Sequence, residues 1–307
     1  MTAITNAASA SDPAGRARTV FNCLKRDRLA LAAAIFLVIL AIATLAGPLL
    51  IGDMAAKLGL RQRNLPPFSL DHGWLYFLGA DTLGRPILAR LVVGAQNTLG
   101  IALAAVVSSM LVGGVLGLVA GYSERWYSQV IQRLADIIMS FPSLLLALIV
   151  LYTLGPSISN LIIVLALTRI PIYLRTTRAE VLELRERMFV SAAKSMGARP
   201  LRIVLRHIAP MALPTLLTIA AIDFATVILA ESSLSFLGLG IQPPEFTWGA
   251  MVANGRGYLA TAWWISFWPG LAILLTTLSL NLLSSWARTM ADPQQRWRLQ
   301  SLRKASR

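Results

Sequence analysis

At 307 residues, 56% hydrophobic and only 14% charged, the chain is far more apolar than a soluble domain. Its net charge of +14 raises nucleic acid as a partner, but the basic residues flank long apolar runs and form no continuous basic face with interleaved aromatics, so membrane topology accounts for them better. The single cysteine, Cys23, excludes an intrachain disulfide, and two distant histidines, His72 and His207, offer no metal-ligand spacing.

Residues 1–28 form a polar, basic tail carrying Arg16, Arg18, Lys25, Arg26 and Arg28. The apolar run from Leu29 to about Ile51 exceeds the core of a signal peptide, so it reads as a retained first span. A polar extracytoplasmic segment over 52–97 carries LGADTLGRPILARLVVGAQNTL, an amphipathic approach to the next span. The second span, about Leu99 to Ala120, holds Gly113, Gly117 and Gly121 at four-residue spacing. That ladder lets helix backbones approach closely, within this chain or in a dimer. A short loop with Glu124, Arg125 and Arg133 leads to a third span, about Leu134 to Leu154, which Pro142 is expected to kink. Gly155-Pro156-Ser157 turns the chain into a fourth span, about Ile158 to Leu174.

A polar, basic interruption follows over 175–209. Val181, Leu184, Met188 and Ala192 recur at helical spacing, Gly197 breaks the pattern, and Pro200 suits the first turn of a new short helix. In that helix Leu201, Val204, Leu205 and Ile208 form an expected apolar ridge, with Arg199, Arg202 and Arg206 pointing elsewhere. Two short helices joined by a glycine between spans read as a knob that can transmit force, or as an ordinary solvated loop.

The fifth span, Ala212 to about Leu237, contains Asp223 and Glu231. Ionisable groups at membrane depth are costly and are expected to face the bundle interior or a water-filled path. Asp223, Glu231, Ser232 and Ser235 are therefore candidates for a translocation pathway; the other reading is a structural partnership with a hydroxyl or an arginine. Gly238, Gly240 and Pro243-Pro244 are expected to end this helix at the outer surface, and Trp248, Trp263 and Trp264 suit the headgroup layer. A sixth span covers about Trp264 to Trp286, and 288–307 form a second polar tail.

Charge fixes the orientation. With both ends inside, 22 of the 28 Lys and Arg fall in cytoplasmic segments, counting the fourth-to-fifth region from Arg169, and 6 fall outside. No G-x-x-x-x-G-K-[ST] occurs, so the chain has no P-loop with which to cradle a nucleotide. No G-x-S-x-G elbow occurs either, and a hydrolase triad is not expected. An intramembrane acid such as Glu231 leaves a proton-coupled secondary transporter as an alternative of another class.

Four stretches, in order, bear a family resemblance that covers about Asp27 to Arg296. Ser191-Ala192-Ala193, then Gly197, then Ile208-Ala209-Pro210 resembles the E-A-A-x-x-x-G loop of ABC importer permeases, with Ser191 where that family has Glu. The 78–99 stretch resembles the dipeptide, oligopeptide and nickel branch at Asp81, Gly84, Arg85, Arg90 and Gly94, and departs from it at Pro86, Ala89 and Gln96. ESSLSFLGLGIQPPEFTWGAMV and WWISFWPGLAILLTTLSLNLL resemble the same branch, as does the closing pattern at Arg288, Asp292 and Pro293.

The resemblance implies an all-α membrane protein with six transmembrane helices over 29–287, a type I ABC importer permease fold and both termini cytoplasmic. It implies a coupling loop whose Ser191, Ala192, Ala193, Gly197, Leu201, Ile208 and Pro210 meet a cytoplasmic ATPase. It further implies a second homologous permease, two ABC ATPase subunits and an extracytoplasmic solute-binding protein as partners, in a bacterial plasma (inner) membrane. ATP and Mg are expected on the partners, with no cofactor, metal or catalytic residue on this chain. Peptides are the default cargo, with nickel or another chelated metal as the alternative.

Overall fold

The computed structural model describes residues 23–25, 27–123 and 125–291. The bulk of the N-terminal tail, Glu124, and Asp292-Pro293 with the rest of the C-terminal tail lie outside the described residues. Helix α1 (Arg28–Ala56) starts where the Asp27 carboxylate accepts hydrogen bonds from the backbone N–H groups of Leu29 and Ala30. Helix α2 (Ile87–Tyr122) begins twelve residues before the expected Leu99, because the amphipathic approach is itself helical and buries Ile87, Ala89 and Arg90. Helices α3 (Trp126–Ser140) and α4 (Ser143–Leu154) are followed by α5 (Ile158–Arg185), which runs eleven residues past the expected Leu174. The short α6 (Met188–Ser195) and α7 (Pro200–Ile203) lead through a π-helical turn (Val204–Ile208) into α8 (Ala209–Phe236). Helix α9 (Trp248–Gly255) and helix α10 (Trp264–Ala291) complete the bundle.

Five of these helical stretches are long and apolar enough to cross a bilayer, and the α3–α4 pair is a sixth candidate, bent by 90°. The expected kink at Pro142 is thus a break: α3 ends at Ser140, Phe141 is extended, and α4 starts afresh after Pro142. Packing of α2 on α5 shows that this bent pair must carry the chain across. A Cβ added to Gly113 would meet Ile170 and Tyr173, one on Gly117 would meet Leu174 and Thr177, and one on Gly121 would meet Arg178 and Val181. The contacts advance by four residues on both helices in the same direction, so α2 and α5 run parallel. Two parallel spans require a return crossing between them, and α3–α4 is the segment available. The glycine ladder is therefore filled within this chain, by α5.

A large apolar core joins α1, α2, α4, α5, α8, α9 and α10. Its outer rim is closed by tryptophans, which corrects their expected place among lipid headgroups. Trp248 is fully buried and donates from Nε1 to the Leu91 carbonyl at 2.8 Å, while its backbone N–H donates to Thr98 Oγ1 at 3.0 Å. Trp264 is buried too and donates to the Ala80 carbonyl at 3.1 Å; Trp263 alone of the three is exposed. An indole N–H buried at a helix end needs an acceptor; a carbonyl in the first turns of α2 supplies it for Trp248 and a loop carbonyl for Trp264. A second, smaller cluster lies at the cytoplasmic end: Val181, Leu184, Val190, Ala193, Ile203 and Ile208, with Leu118, Tyr122 and Ala198 against it.

Candidate functional site

The cytoplasmic elbow is built by helix-capping chemistry. Helix α6 ends in a Schellman arrangement: Gly197 N–H donates to the Lys194 carbonyl and Ala198 N–H to the Ala193 carbonyl, each at 3.0 Å. Gly197 has φ +79°, which a residue with a side chain adopts only under strain. Pro200 then opens α7 at its first turn. The inner face of the elbow is the smaller apolar cluster, so α6 and α7 are packed onto the cytoplasmic ends of α2 and α5.

Two expectations about this face need correction. Chain turns at Glu186 and Arg187 separate α5 from α6, so the repeat through Met188 and Ala192 does not continue: Val181 and Leu184 are inside, Met188 and Ala192 outside, and Val190 and Ala193 take the inner positions. The ridge of Leu201, Val204, Leu205 and Ile208 also divides. Ile203 and Ile208 point in, while Leu201 and Leu205 are exposed, because the π turn holds more residues than an α turn and shifts the register. Ser191 and Pro210 are exposed.

The outer face is consequently apolar and uncovered. Met188, Met196, Leu201 and Leu205 are 86%, 81%, 69% and 59% exposed, and exposed Arg187, Lys194, Arg199, Arg202 and Arg206 rim them. An apolar patch with a charged rim, outside the spans, has the make-up of a protein-docking surface. Met196 was not singled out by sequence, since it falls outside both helical repeats, and Met188 was read only as one position of the first repeat.

Within the bundle both acids are buried and partnered. Glu231 has no exposed surface; Ser235 donates to its Oε1 at 2.6 Å, Ser232 to its Oε2 at 3.4 Å, and Ser235 and Thr247 hydroxyls lie 3.3 Å apart. Thr247 also caps α9 by accepting from the Ala250 N–H. Gly249 rests on the same turn, where a Cβ would lie 2.6 Å from Ser232 Cα. Glu231, Ser232 and Ser235 therefore join the outer end of α8 to α9. Asp223 lies deeper. Arg169 Nε of α5 is 3.4 Å from its Oδ1, and the buried Tyr173 hydroxyl donates to its Oδ2 at 3.2 Å. Arg169 belongs to the middle of a span, which removes it from the cytoplasmic charge count; the inward bias of the remaining charge is unaffected.

At the outer mouth, two stretches far apart in sequence meet. Asp81 accepts from the backbone N–H groups of Leu83 and Arg85 and pairs with the Arg85 and Arg90 side chains at 2.7 and 3.1 Å. Arg90 in turn lies 4.2 Å over the Phe246 ring, and Asn97 donates to the Phe246 carbonyl. The 78–99 segment is thereby clasped to the loop before α9.

Residues 113–297 match the family described as the binding-protein-dependent transport system inner membrane component. The chain belongs to that family. A dipeptide transport system permease protein of Alkalihalophilus pseudofirmus is 36% identical over 91% of this chain and 90% of its own length. A di/tripeptide transport system permease of Pseudomonas aeruginosa is 42% identical over 75% of this chain and 76% of its own. A glutathione transport system permease of Escherichia coli is 38% identical over 88% of each. Among solved structures, the inward-facing MetNI methionine ABC transporter matches with a TM-score of 0.54 and 19% identity, covering 65% of this chain and 95% of the other, which establishes a shared fold. This permease is a multi-pass inner-membrane component of an ABC importer, and that membership favours an ATP-driven system over a proton-coupled carrier.

Proposed function

We propose that this permease pairs with a second, homologous permease to form the path for short peptides handed over by an extracytoplasmic binding protein, and that two ATPases dock on the pair, one of them on this chain's cytoplasmic elbow. The observation that carries the reading is the two-faced elbow. Its outer face, Met188, Met196, Leu201 and Leu205, is uncovered, while Ile203 and Ile208 on the inner face bind it to the ends of α2 and α5. A partner moving that surface moves two parallel spans together. Nucleotide-driven closure of the ATPases then biases a two-state bundle between inward-open and outward-open forms. Ser191, Ala192, Ala193, Gly197 and Pro210 shape the elbow; hydrolysis, ATP and Mg belong to the partners, and this chain performs no catalysis. Peptide cargo is supported by the relatives, whose names specify dipeptides, di/tripeptides and glutathione.

The test is Gly197→Pro. Proline fixes φ near −65°, against +79° here, and removes the N–H that bonds Lys194. In the reconstituted complex the variant is expected to insert and assemble, with binding-protein-stimulated ATP hydrolysis no longer linked to peptide uptake. Normal uptake at normal abundance would overturn the coupling role.

A further inference from the structure

Arg169 is unusual among the cations of this chain. It sits twelve residues before Val181, about 18 Å up the α5 axis from the cytoplasmic cluster, in a hydrocarbon layer of about 30 Å. Its single ion-pair partner among the described residues is Asp223, whose Oδ1 lies 3.4 Å from Nε, and its two terminal nitrogens make no hydrogen bond there. Its side chain is 17% exposed. A guanidinium opening into acyl chains at this depth is strongly disfavoured, so the open side must face water or a polar group. Asp223 cannot rotate to cover it, because Tyr173 holds the other carboxylate oxygen from the buried side. The result is an arginine fixed at its Nε edge with its terminal pair of N–H donors uncommitted. That pair has the planar spacing that a carboxylate accepts with both oxygens.

Resting on the peptide reading above, we propose that Arg169 receives the C-terminal carboxylate of the peptide in transit, with Asp223 and Tyr173 as its positioning residues. An α-carboxylate is the one anionic group common to short peptides of any sequence. A single arginine at mid-depth therefore guides varied cargo without reading side chains. Exposure of only 17% of the Arg169 side chain suits a passing contact in preference to an enclosed binding pocket.

The experiment uses the complete transporter in proteoliposomes, with the binding protein presaturated with either a dipeptide or the same dipeptide as its C-terminal amide. Wild type is expected to import the acid faster than the amide. The double variant Arg169→Gln/Asp223→Asn replaces the ion pair by two amides that can still bond each other and Tyr173, so no charge is left buried alone. It is expected to lose roughly ten-fold in acid import per ATP hydrolysed, as for one hydrogen-bonded charge, while amide import is unchanged. Arg169→Lys keeps the charge beside Asp223 but not the paired donors, and is expected to lower acid import alone; it decides the question if the double variant fails to assemble. A wild-type ratio of acid to amide import in these variants overturns the proposal and leaves a purely structural ion pair. An equal fall for both cargoes also overturns it and assigns the donors to the second permease. Failure of the wild-type transporter to import either cargo is seen before any substitution, and overturns the peptide reading itself.

Discussion

Replacing Gly117 by alanine tests the parallel packing on which the six-crossing topology rests. The new Cβ would lie 2.5 Å from Thr177 Cβ and 2.7 Å from the Leu174 carbonyl oxygen, against an ordinary contact distance of 3.4–4 Å. Both obstacles are backbone or directly attached to it, so no rotamer change relieves them and α5 must retreat by roughly 1 Å. Overpacking of this kind costs about 1–3 kcal/mol, and a rigid obstacle belongs at the upper end. Alanine's better helix propensity returns about 1 kcal/mol, leaving a net loss of roughly 2 kcal/mol. Gly100 in the same helix has nothing within 4 Å of an added Cβ, so Gly100→Ala is free to gain that ~1 kcal/mol. The two variants should thus differ by about 3 kcal/mol, or roughly 6 °C or more in midpoint for a chain of this size. Heating the detergent-solubilised protein in steps and measuring the surviving monodisperse fraction by size-exclusion chromatography provides the comparison. Gly117→Ala melting with Gly100→Ala, or above it, would refute the close α2–α5 contact.

Three further outcomes follow from the buried polar groups. Glu231→Gln keeps an acceptor for Ser235 and should change the melting midpoint little, whereas Glu231→Ala strands that hydroxyl and opens a void, for a loss of about 2–3 kcal/mol in the same assay. Arg90→Ala leaves Asp81 with Arg85 and removes the contact with the Phe246 ring; a loss of about 1–3 kcal/mol is expected, with protease sensitivity rising in the 52–86 segment while the spans stay protected. Trp248→Phe keeps the packing but deletes the bond to the Leu91 carbonyl, and should cost about 1 kcal/mol.

The apolar runs were legible because a span must be long, continuous and free of charge; five crossings follow from that rule alone. The Phe141-Pro142 break was not, since a proline announces a disturbance of the helix and tertiary packing sets its angle. The elbow was visible in outline, because Gly197 and Pro200 are local signals. Its faces were assigned wrongly at Leu201 and Leu205, as an α-helical period cannot anticipate a π turn. Asp223 and Glu231 could be found by their cost in a membrane, yet their partners could not. Arg169 is 54 positions from Asp223, and Thr247 reaches Ser235 through a loop whose path no periodicity describes. Trp248 and Trp264 were placed at the headgroups because amphipathic rings favour that layer, but here their N–H groups find backbone carbonyls inside the protein.

The proposed coupling rests on the exposed elbow as an ATPase-docking surface. Affinity purification of the tagged chain from its native host in mild detergent, with partners identified by mass spectrometry, should be compared between wild type and Leu201→Asp/Leu205→Asp. Wild type is expected to retain two P-loop ATPase subunits and a second, related permease. The variant should keep the permease and lose the ATPases, because both carboxylates fall on exposed positions that leave the buried cluster of Ile203 and Ile208 intact. Recovery of the wild-type chain alone, or equal retention of ATPases by the variant, would contradict the account.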